Sequence, residues 1–288
     1  MATGLLTITA LLFGLGADVP VELWQVAPDM KGKSAREELR KTKERAVVLI
    51  PGLKLHPVRP ALAACPEMHK WQQPRGELVR ALAEDFDVFA LGYAQTAPVD
   101  VVARAPALRA AVELLEKADY REIVLIGHSA GGVLARLFVA TYPQTRVSKV
   151  ITTASPHAGA LLARLPFGYP KIQAPFVQSL TPEARRALAQ PVDADPNKPM
   201  EMVCVVARLP KLLSDGLVDV DSQWPAECRA AGVPAVVVEI NHFEVLMHPA
   251  SVQVVARLAR EKLRRWTPEE VDQAVRLLLL KPGRHRRP

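Results

Sequence analysis

The stretch that most constrains the fold is residues 127–131, which read Gly-His-Ser-Ala-Gly. An apolar run at residues 123–126 precedes them, and residues 132–141 follow with the spacing of a helix. A strand, a sharp turn and a helix in this order leave the central serine exposed, and the glycines give the turn the room it needs. The pattern predicts that Ser129 is a nucleophile. The alternative is a glycine-rich turn whose serine has no chemical role.

Strands and helices are predicted to alternate on both sides of this turn. Apolar runs bounded by turn residues predict strands at 46–50, 87–92, 122–126, 147–153, 202–207 and 235–240. Amphipathic spacing predicts helices at 74–85, 99–118, 132–141 and 251–265. This alternation favours an α/β fold with a mostly parallel central sheet flanked by helices.

The chain length fits one such domain with small additions. Hydrophobic residues make up 49% of the 288 residues, so a large core can form, and we expect one domain over residues 18–266. Within it, the charged residues 31–45 predict an exposed helix or connector. The proline-rich residues 159–199 interrupt the alternation and predict a small cap or lid, or else an excursion that gates nothing. Residues 267–288 predict a last helix and a basic tail.

The N-terminal residues 1–17 carry no charged side chain. Their length suits the apolar part of a signal peptide and is short for a membrane span. No Lys or Arg precedes the apolar run, so the alternative to a signal or an anchor is a first strand or a buried N-terminal segment. Localisation therefore stays open: exported or membrane-associated if this segment is a signal or anchor, and cytoplasmic otherwise.

The formal net charge of +7 is concentrated near the C-terminus, where residues 257–288 hold ten Lys or Arg and four acidic residues. Such a segment is a candidate for peripheral contact with an anionic membrane. The alternative is a solvated helix face with a frayed end. We expect no nucleic-acid partner, and the oligomeric state is open.

No sequence pattern points to a cofactor. The chain has no phosphate-binding glycine loop, no dinucleotide fingerprint and no His, Cys or carboxylate cluster at metal-ligand spacing. We therefore expect neither a metal nor a cofactor. Cys204 falls in a predicted buried strand, whereas Cys65 and Cys228 are candidates for a disulfide if the protein is exported.

A turn upstream of the serine is a candidate oxyanion site. Acyl transfer develops negative charge on a carbonyl oxygen, which preorganised backbone N–H groups stabilise. One N–H is expected from Ala130, after the serine, and the other from a loop after an earlier strand. Pro51 and Gly52 end the strand at 46–50 and present Leu53 as that second donor. The alternative is an ordinary turn that ends a strand.

Three motifs together resemble those of α/β-hydrolases of the bacterial lipase and esterase type. They are Val-Val-Leu-Ile-Pro-Gly-Leu at 47–53, Gly-His-Ser-Ala-Gly at 127–131 and Thr-Ala-Ser-Pro-His-Ala-Gly at 153–159. The resemblance covers roughly residues 46–263 and implies the α/β-hydrolase fold. One departure is Pro51, where many lipases have a histidine, and this weakens the likeness to true long-chain lipases.

The resemblance implies a serine hydrolase of carboxylic esters whose triad runs Ser, acid, His along the chain. A serine alcohol needs a base, and the base needs a carboxylate to fix its tautomer. His242 follows the last predicted strand directly and is the expected base for Ser129. Asp215, in a Ser-Asp-Gly-Leu-Val turn, is similar to the lipase acid, with Asp219 and Asp221 as rivals.

Four residues near these motifs are expected to contact the substrate, a small-molecule or lipid ester. Trp71 lies in the long loop after the oxyanion turn, His128 precedes the nucleophile, His157 belongs to the third motif, and Phe167 lies in the predicted cap. An acyltransferase or a lipid deacylase would use the same triad. A hydrolase-fold protein that binds a lipid or partner without catalysis is the remaining alternative.

Overall fold

The computed structural model describes residues 19–27, 33–188, 192 and 200–279. The predicted signal or anchor at residues 1–17, much of the later part of the predicted cap and the basic tail from residue 280 onward lie outside these described residues.

Eight strands form one sheet within the described residues. They are β1 (Val21–Ala27), β2 (Lys33–Ser34), β3 (Arg45–Ile50), β4 (Asp87–Tyr93), β5 (Glu122–His128), β6 (Val147–Thr153), β7 (Glu201–Ala207) and β8 (Ala235–Val238). The strand order is β2-β1-β4-β3-β5-β6-β7-β8. Each pair of neighbouring strands in the series β4-β3-β5-β6-β7-β8 is parallel. In contrast, β1 is antiparallel to both of its neighbours, β2 and β4. The strand β5, which delivers Ser129, lies in the middle of the sheet.

Ten α-helices accompany the sheet in the described part of the chain. They are α1 (Glu77–Leu82), α2 (Val99–Ala103), α3 (Pro106–Lys117), α4 (Ala130–Thr141), α5 (Ala174–Gln178), α6 (Pro182–Ala187), α7 (Val220–Gln223), α8 (Ala226–Ala230), α9 (Pro249–Arg260) and α10 (Pro268–Leu278). Among the residues described, none of these helices combines the length and apolar character that crossing a membrane requires.

Helices cover both faces of the sheet, each over its own apolar core. Residues of α2, α3 and α4 pack in one core with Val48 of β3, while α1 and α9 pack in the other with Val47. Successive side chains of a strand point to opposite faces, which explains why β3 is apolar almost throughout. The prediction of a mostly parallel sheet flanked by helices is confirmed.

One predicted helix differs from the structure. The predicted helix at 99–118 is two helices, because Ala105 adopts φ −61° and ψ 130° and Pro106 begins α3. Proline disfavours the helical conformation in the residue before it, whereas proline itself suits the first position of a helix. Of the two alternatives for residues 31–45, the described residues 33–44 form the connector, with the short strand β2, a turn and extended chain.

The described part of the predicted cap leaves the sheet after β6. It contains short 3₁₀ turns at Leu161–Arg164 and Lys171–Gln173, followed by α5 and α6. Ala160 N–H donates to Leu180 O at 2.9 Å, so the two ends of this excursion are joined. Its function as a lid stays a prediction, as do the domain boundaries.

Candidate active site

Ser129 occupies a strained turn between β5 and α4. Its backbone has φ 52° and ψ −125°, a region that residues other than glycine rarely adopt. The Ser129 N–H donates to Thr153 O at 2.8 Å, which ties the turn to β6. The side chain is partly exposed, and among the described residues its Oγ has no hydrogen-bond partner. The expected strand–turn–helix context is present.

The glycines around this turn are needed because backbone atoms approach closely. A Cβ on Gly127 would lie 2.4 Å from Gly131 O, and a Cβ on Gly131 would lie 2.3 Å from Ile50 O. Neither approach is compatible with a side chain unless the backbone shifts. The glycines therefore let the start of α4 pack directly against the end of β3.

His242 and Asp215 form a buried pair. The distance from His242 Nδ1 to Asp215 Oδ2 is 2.7 Å, and the two residues are 5% and 1% exposed. The His242 N–H also donates to Asp215 O at 3.1 Å, which joins the two loops through their backbones. A carboxylate at this distance favours the tautomer with the proton on Nδ1 and leaves the Nε2 lone pair available as a base.

The two rival acids make other contacts. Asp221 pairs with Arg229 through a 2.6 Å contact, and Asp219 is exposed and lies directly before α7. Of the three candidates, Asp215 is thus the one that the structure pairs with His242. Its role as the catalytic acid belongs to the proposal below.

His128 connects the nucleophile turn to the His242 loop. Its Nε2 lies 2.9 Å from His242 O, and because a carbonyl only accepts, Nε2 carries the proton. The ring centroids of His128 and His242 are 5.0 Å apart. Burial, reinforced by the nearby His242, holds the pKa of His128 well below its usual range, so the ring is neutral. Because Ser129 follows directly in the chain, His128 fixes where His242 lies relative to the serine.

The candidate oxyanion turn lies against Ser129. A Cβ on Gly52 would be 2.7 Å from Ser129 Cβ and 3.0 Å from His128 O, so the chain passes close over Ser129 here. Among the described residues, neither the Leu53 nor the Ala130 N–H donates to a protein acceptor. Two free donors beside the serine are the arrangement that a developing oxyanion requires.

The other three predicted binding residues differ in their burial and contacts. Trp71 is buried, with its ring edge-on to His128 at 6.3 Å between centroids, and Phe167 is 68% exposed. His157 is buried with Nε2 3.2 Å from Thr152 Oγ1, and none of its described contacts is with the serine, Asp215 or His242. Packing against Thr152 thus makes His157 part of the core.

Sequence reasoning missed Gln95, whose side chain holds the candidate oxyanion turn, and Gln173, whose side chain holds the residues directly after it. No motif contains either residue, and isolated glutamines carry no sequence signal. Only the folded chain shows which backbone groups they contact.

The described residues contain no group of three or more His, Cys, Asp or Glu side chains that could hold a metal ion. The three cysteines are free thiols; Cys65 is exposed, whereas Cys204 and Cys228 are buried. The conditional disulfide between Cys65 and Cys228 is therefore not formed in this structure.

Comparison with known proteins agrees with this architecture. Residues 43–170 match the model of the PGAP1-like alpha/beta domain, a segment that contains the oxyanion turn, Ser129 and His157. No curated protein matches the chain in sequence.

Solved structures resemble the chain in fold. The mature form of the lipase BlEst2 of Bacillus licheniformis is 15% identical with a TM-score of 0.56, and the match covers 77% of this chain and 94% of that one. Phospholipase PlaB of Legionella pneumophila is 16% identical with a TM-score of 0.56, and the match covers 81% of this chain and 62% of that one. These likenesses show that the chain shares the fold of both proteins. The chain has the α/β-hydrolase fold.

Proposed function

We propose that this protein hydrolyses carboxylic esters through a covalent acyl-enzyme. Ser129 is the nucleophile, His242 the general base and acid, and Asp215 the carboxylate that orients His242. The backbone N–H groups of Leu53 and Ala130 bind the oxyanion. The observation that carries this proposal is the buried 2.7 Å contact between His242 Nδ1 and Asp215 Oδ2, joined through His128 to the strained turn of Ser129.

Each step of the reaction has a group to perform it. Ser129 Oγ attacks the acyl carbon as its proton passes to His242 Nε2, and the Asp215 carboxylate stabilises the imidazolium that results. The imidazolium then protonates the leaving alcohol as the carbon–oxygen bond breaks. Water, deprotonated by His242, attacks the acyl-enzyme, and the proton returns to Ser129 when the acid leaves. The N–H groups of Leu53 and Ala130 stabilise the oxyanion that forms during acylation and again during deacylation.

The backbone of Ser129 favours catalysis over a purely binding role. A residue other than glycine in such a region costs about 1–3 kcal/mol and persists only where the surroundings enforce it. A protein that only binds a ligand gains nothing from this strain, whereas a nucleophile gains exposure at the end of β5.

The surface around the serine suits an apolar acyl group. Among the described residues, the exposed large apolar side chains other than Leu277 lie in loops that follow β3, β6, β7 or β8, on the edge of the sheet where Ser129 lies. They are Leu55, Val58, Leu161, Leu162, Leu165, Phe167, Ile172, Leu212, Phe243 and Met247. We therefore propose an ester with an apolar acyl chain, including lipid esters that reach this edge from a membrane surface.

Hydrolysis of p-nitrophenyl esters of increasing chain length tests both the proposed nucleophile and the proposed substrate class. The wild-type protein is expected to release p-nitrophenol, with kcat/KM rising from acetate to medium chains, whereas folded Ser129→Ala is expected to lose at least about 10³-fold of kcat. Equal activity of Ser129→Ala and the wild type would contradict the proposed nucleophile. A preference for acetate would contradict the proposed substrate class.

A further inference from the structure

The turn that carries Leu53 is held by the side chain of Gln95, which is 6% exposed and lies two residues after β4. Gln95 Nε2 donates to Gly52 O at 2.8 Å. Gln95 Oε1 accepts from Lys54 N–H, also at 2.8 Å. One amide group thus binds the backbone on both sides of Leu53.

The first of these bonds orients the proposed oxyanion donor. Gly52 C=O and Leu53 N–H belong to the same planar, trans peptide unit and point in opposite directions. When Gln95 fixes the carbonyl, it also fixes the direction of the N–H. The bond polarises the peptide unit as well, which makes the Leu53 N–H a stronger donor.

Tyr93 holds the preceding peptide unit in the same way. Its Oη donates to Pro51 O at 2.8 Å, and burial raises the pKa of Tyr93, so the phenol keeps the proton that it donates. The carbonyl groups of Pro51 and Gly52 are therefore both held by hydrogen bonds, and the turn is constrained where it passes over Ser129.

A second amide comes from the segment after β6. Gln173 is fully buried, its Nε2 donates to Lys54 O at 2.8 Å, and its Oε1 accepts from His56 N–H at 3.1 Å. This is the same two-bond arrangement, displaced by two residues along the turn. The 3₁₀ turn Lys171–Gln173 thus contacts the oxyanion turn directly.

We propose that Gln95 is the positioning residue for the oxyanion donor Leu53 N–H, and that Gln173 couples the predicted cap to the same turn. The inference rests on the proposed function, because it concerns the transition state of ester hydrolysis. Gln95 fixes the peptide unit that carries the donor, whereas Gln173 fixes the unit that lies two further along the chain and has the smaller effect.

Replacement of each glutamine by leucine tests the order of these effects. Removing one oxyanion donor outright costs about 10²–10³ in kcat, so misorienting it through Gln95→Leu is expected to lower kcat about 10–100-fold. KM is expected to change by less than about threefold, because the contact forms in the transition state. Gln173→Leu is expected to lower kcat by less than about tenfold, with the same small change in KM.

Gln25 provides a matched control. It is fully buried on β1, its Nε2 donates to Arg40 O at 2.7 Å, and Arg40 N–H donates to its Oε1 at 2.8 Å. Gln25→Leu therefore removes an equivalent two-bond contact on a strand far along the sheet from Ser129. It is expected to lower the free energy of unfolding without lowering kcat per folded molecule.

The pH dependence of kcat in Gln95→Glu is a readout that a purely structural role of Gln95 would not change. This variant also tests the proposal if Gln95→Leu fails to fold. A protonated carboxyl group can donate to Gly52 O and accept from Lys54 N–H, whereas an ionised carboxylate has no proton to donate. Burial raises the pKa of such a carboxyl group. The ratio of variant to wild-type kcat is therefore expected to rise as the pH falls from about 8 to about 5.5.

The outcomes separate this inference from the proposed function. If the wild type neither hydrolyses esters nor reacts at Ser129, the proposed function fails. If the wild type is active but kcat of Gln95→Leu equals that of Gln25→Leu, or the pH ratio for Gln95→Glu is flat, the positioning role is wrong. An unchanged kcat in Gln173→Leu would overturn the coupling of the cap alone.

Discussion

Asp215 is fixed in place independently of its partner histidine. Its Oδ1 accepts the N–H groups of Leu217 at 2.9 Å and Val218 at 2.8 Å, so the turn that it begins holds one carboxylate oxygen. The other oxygen is left for His242 Nδ1, with Gln223 Nε2 3.4 Å away. This division explains why the Ser-Asp-Gly-Leu-Val turn, and not the later aspartates, pairs with the histidine.

Substitution of Asp215 by asparagine is predicted to lower kcat about 10³–10⁴-fold, because an amide can donate to Nδ1 and so favours the wrong tautomer of His242. Asparagine has nearly the same size as aspartate, so the packing around residue 215 is kept. The variant is therefore expected to remain folded while it loses activity. Steady-state kinetics on a p-nitrophenyl ester, with urea unfolding, measures both.

The matched control is Asp219→Asn, since Asp219 is exposed. It is predicted to keep kcat within about twofold, as surface substitutions usually perturb little. Loss of activity in Asp219→Asn, with activity kept in Asp215→Asn, would overturn the assignment of the acid.

At the scale of elements, the site depends on the close packing of α4 against the end of β3. Gly131 of α4 lies under the turn that begins at Pro51, and a Cβ there would be 2.3 Å from Ile50 O and 2.5 Å from Pro51 O. The helix that follows Ser129 thus supports the turn at residues 51–53, and a shift of one element moves the other.

Gly131→Ala is therefore predicted to be destabilising by about 1–3 kcal/mol, the usual range for overpacking, although alanine favours helices. The displaced turn is also predicted to lower kcat. Gly168→Ala is the control, because its φ of 92° strains a side chain but a Cβ there meets no atom within 4 Å. Thermal unfolding and ester hydrolysis of both variants check this; a fully active Gly131→Ala protein would contradict it.

Sequence patterns predicted the elements better than their contacts. The apolar runs that became β3 to β8 and the turn at Ser129 were found because burial on both faces leaves a continuous apolar signal. Gln95 and Gln173 were not found, because a buried amide that binds distant backbone groups leaves no local pattern. His157 was expected at the substrate because it follows a strand near Ser129; it is buried against Thr152, and its contact with a substrate stays a prediction.

At the scale of the whole molecule, buried histidines link stability to pH. Burial holds the pKa values of His128 and His157 well below the usual range, with His242 adding to the shift in the first and Arg136 and Arg185 in the second. Burial also lowers the pKa of His69 to about 4. These rings bind protons more readily in the unfolded chain than in the folded one. The free energy of unfolding therefore has its full value above about pH 6.5, the pKa of histidine in the unfolded chain, and decreases as the pH falls below it.

We predict that the free energy of unfolding decreases between about pH 6.5 and pH 5, by about 1.4 kcal/mol per pH unit for each buried histidine that the unfolded chain protonates. Urea unfolding at several pH values measures the slope. Replacing the buried His157 by glutamine should reduce the slope. A slope of zero, or stability that rises on acidification, would contradict the burial of neutral rings.

The central claim is that Ser129 is an activated nucleophile, and covalent labelling tests it most directly. A fluorophosphonate requires the serine, the base and the oxyanion site together, and tandem mass spectrometry locates its adduct. We predict one adduct, on Ser129, formed at a rate that Asp215→Asn reduces strongly and that Ser129→Ala abolishes. A folded wild-type protein that is not labelled, or is labelled at another residue, would contradict the account.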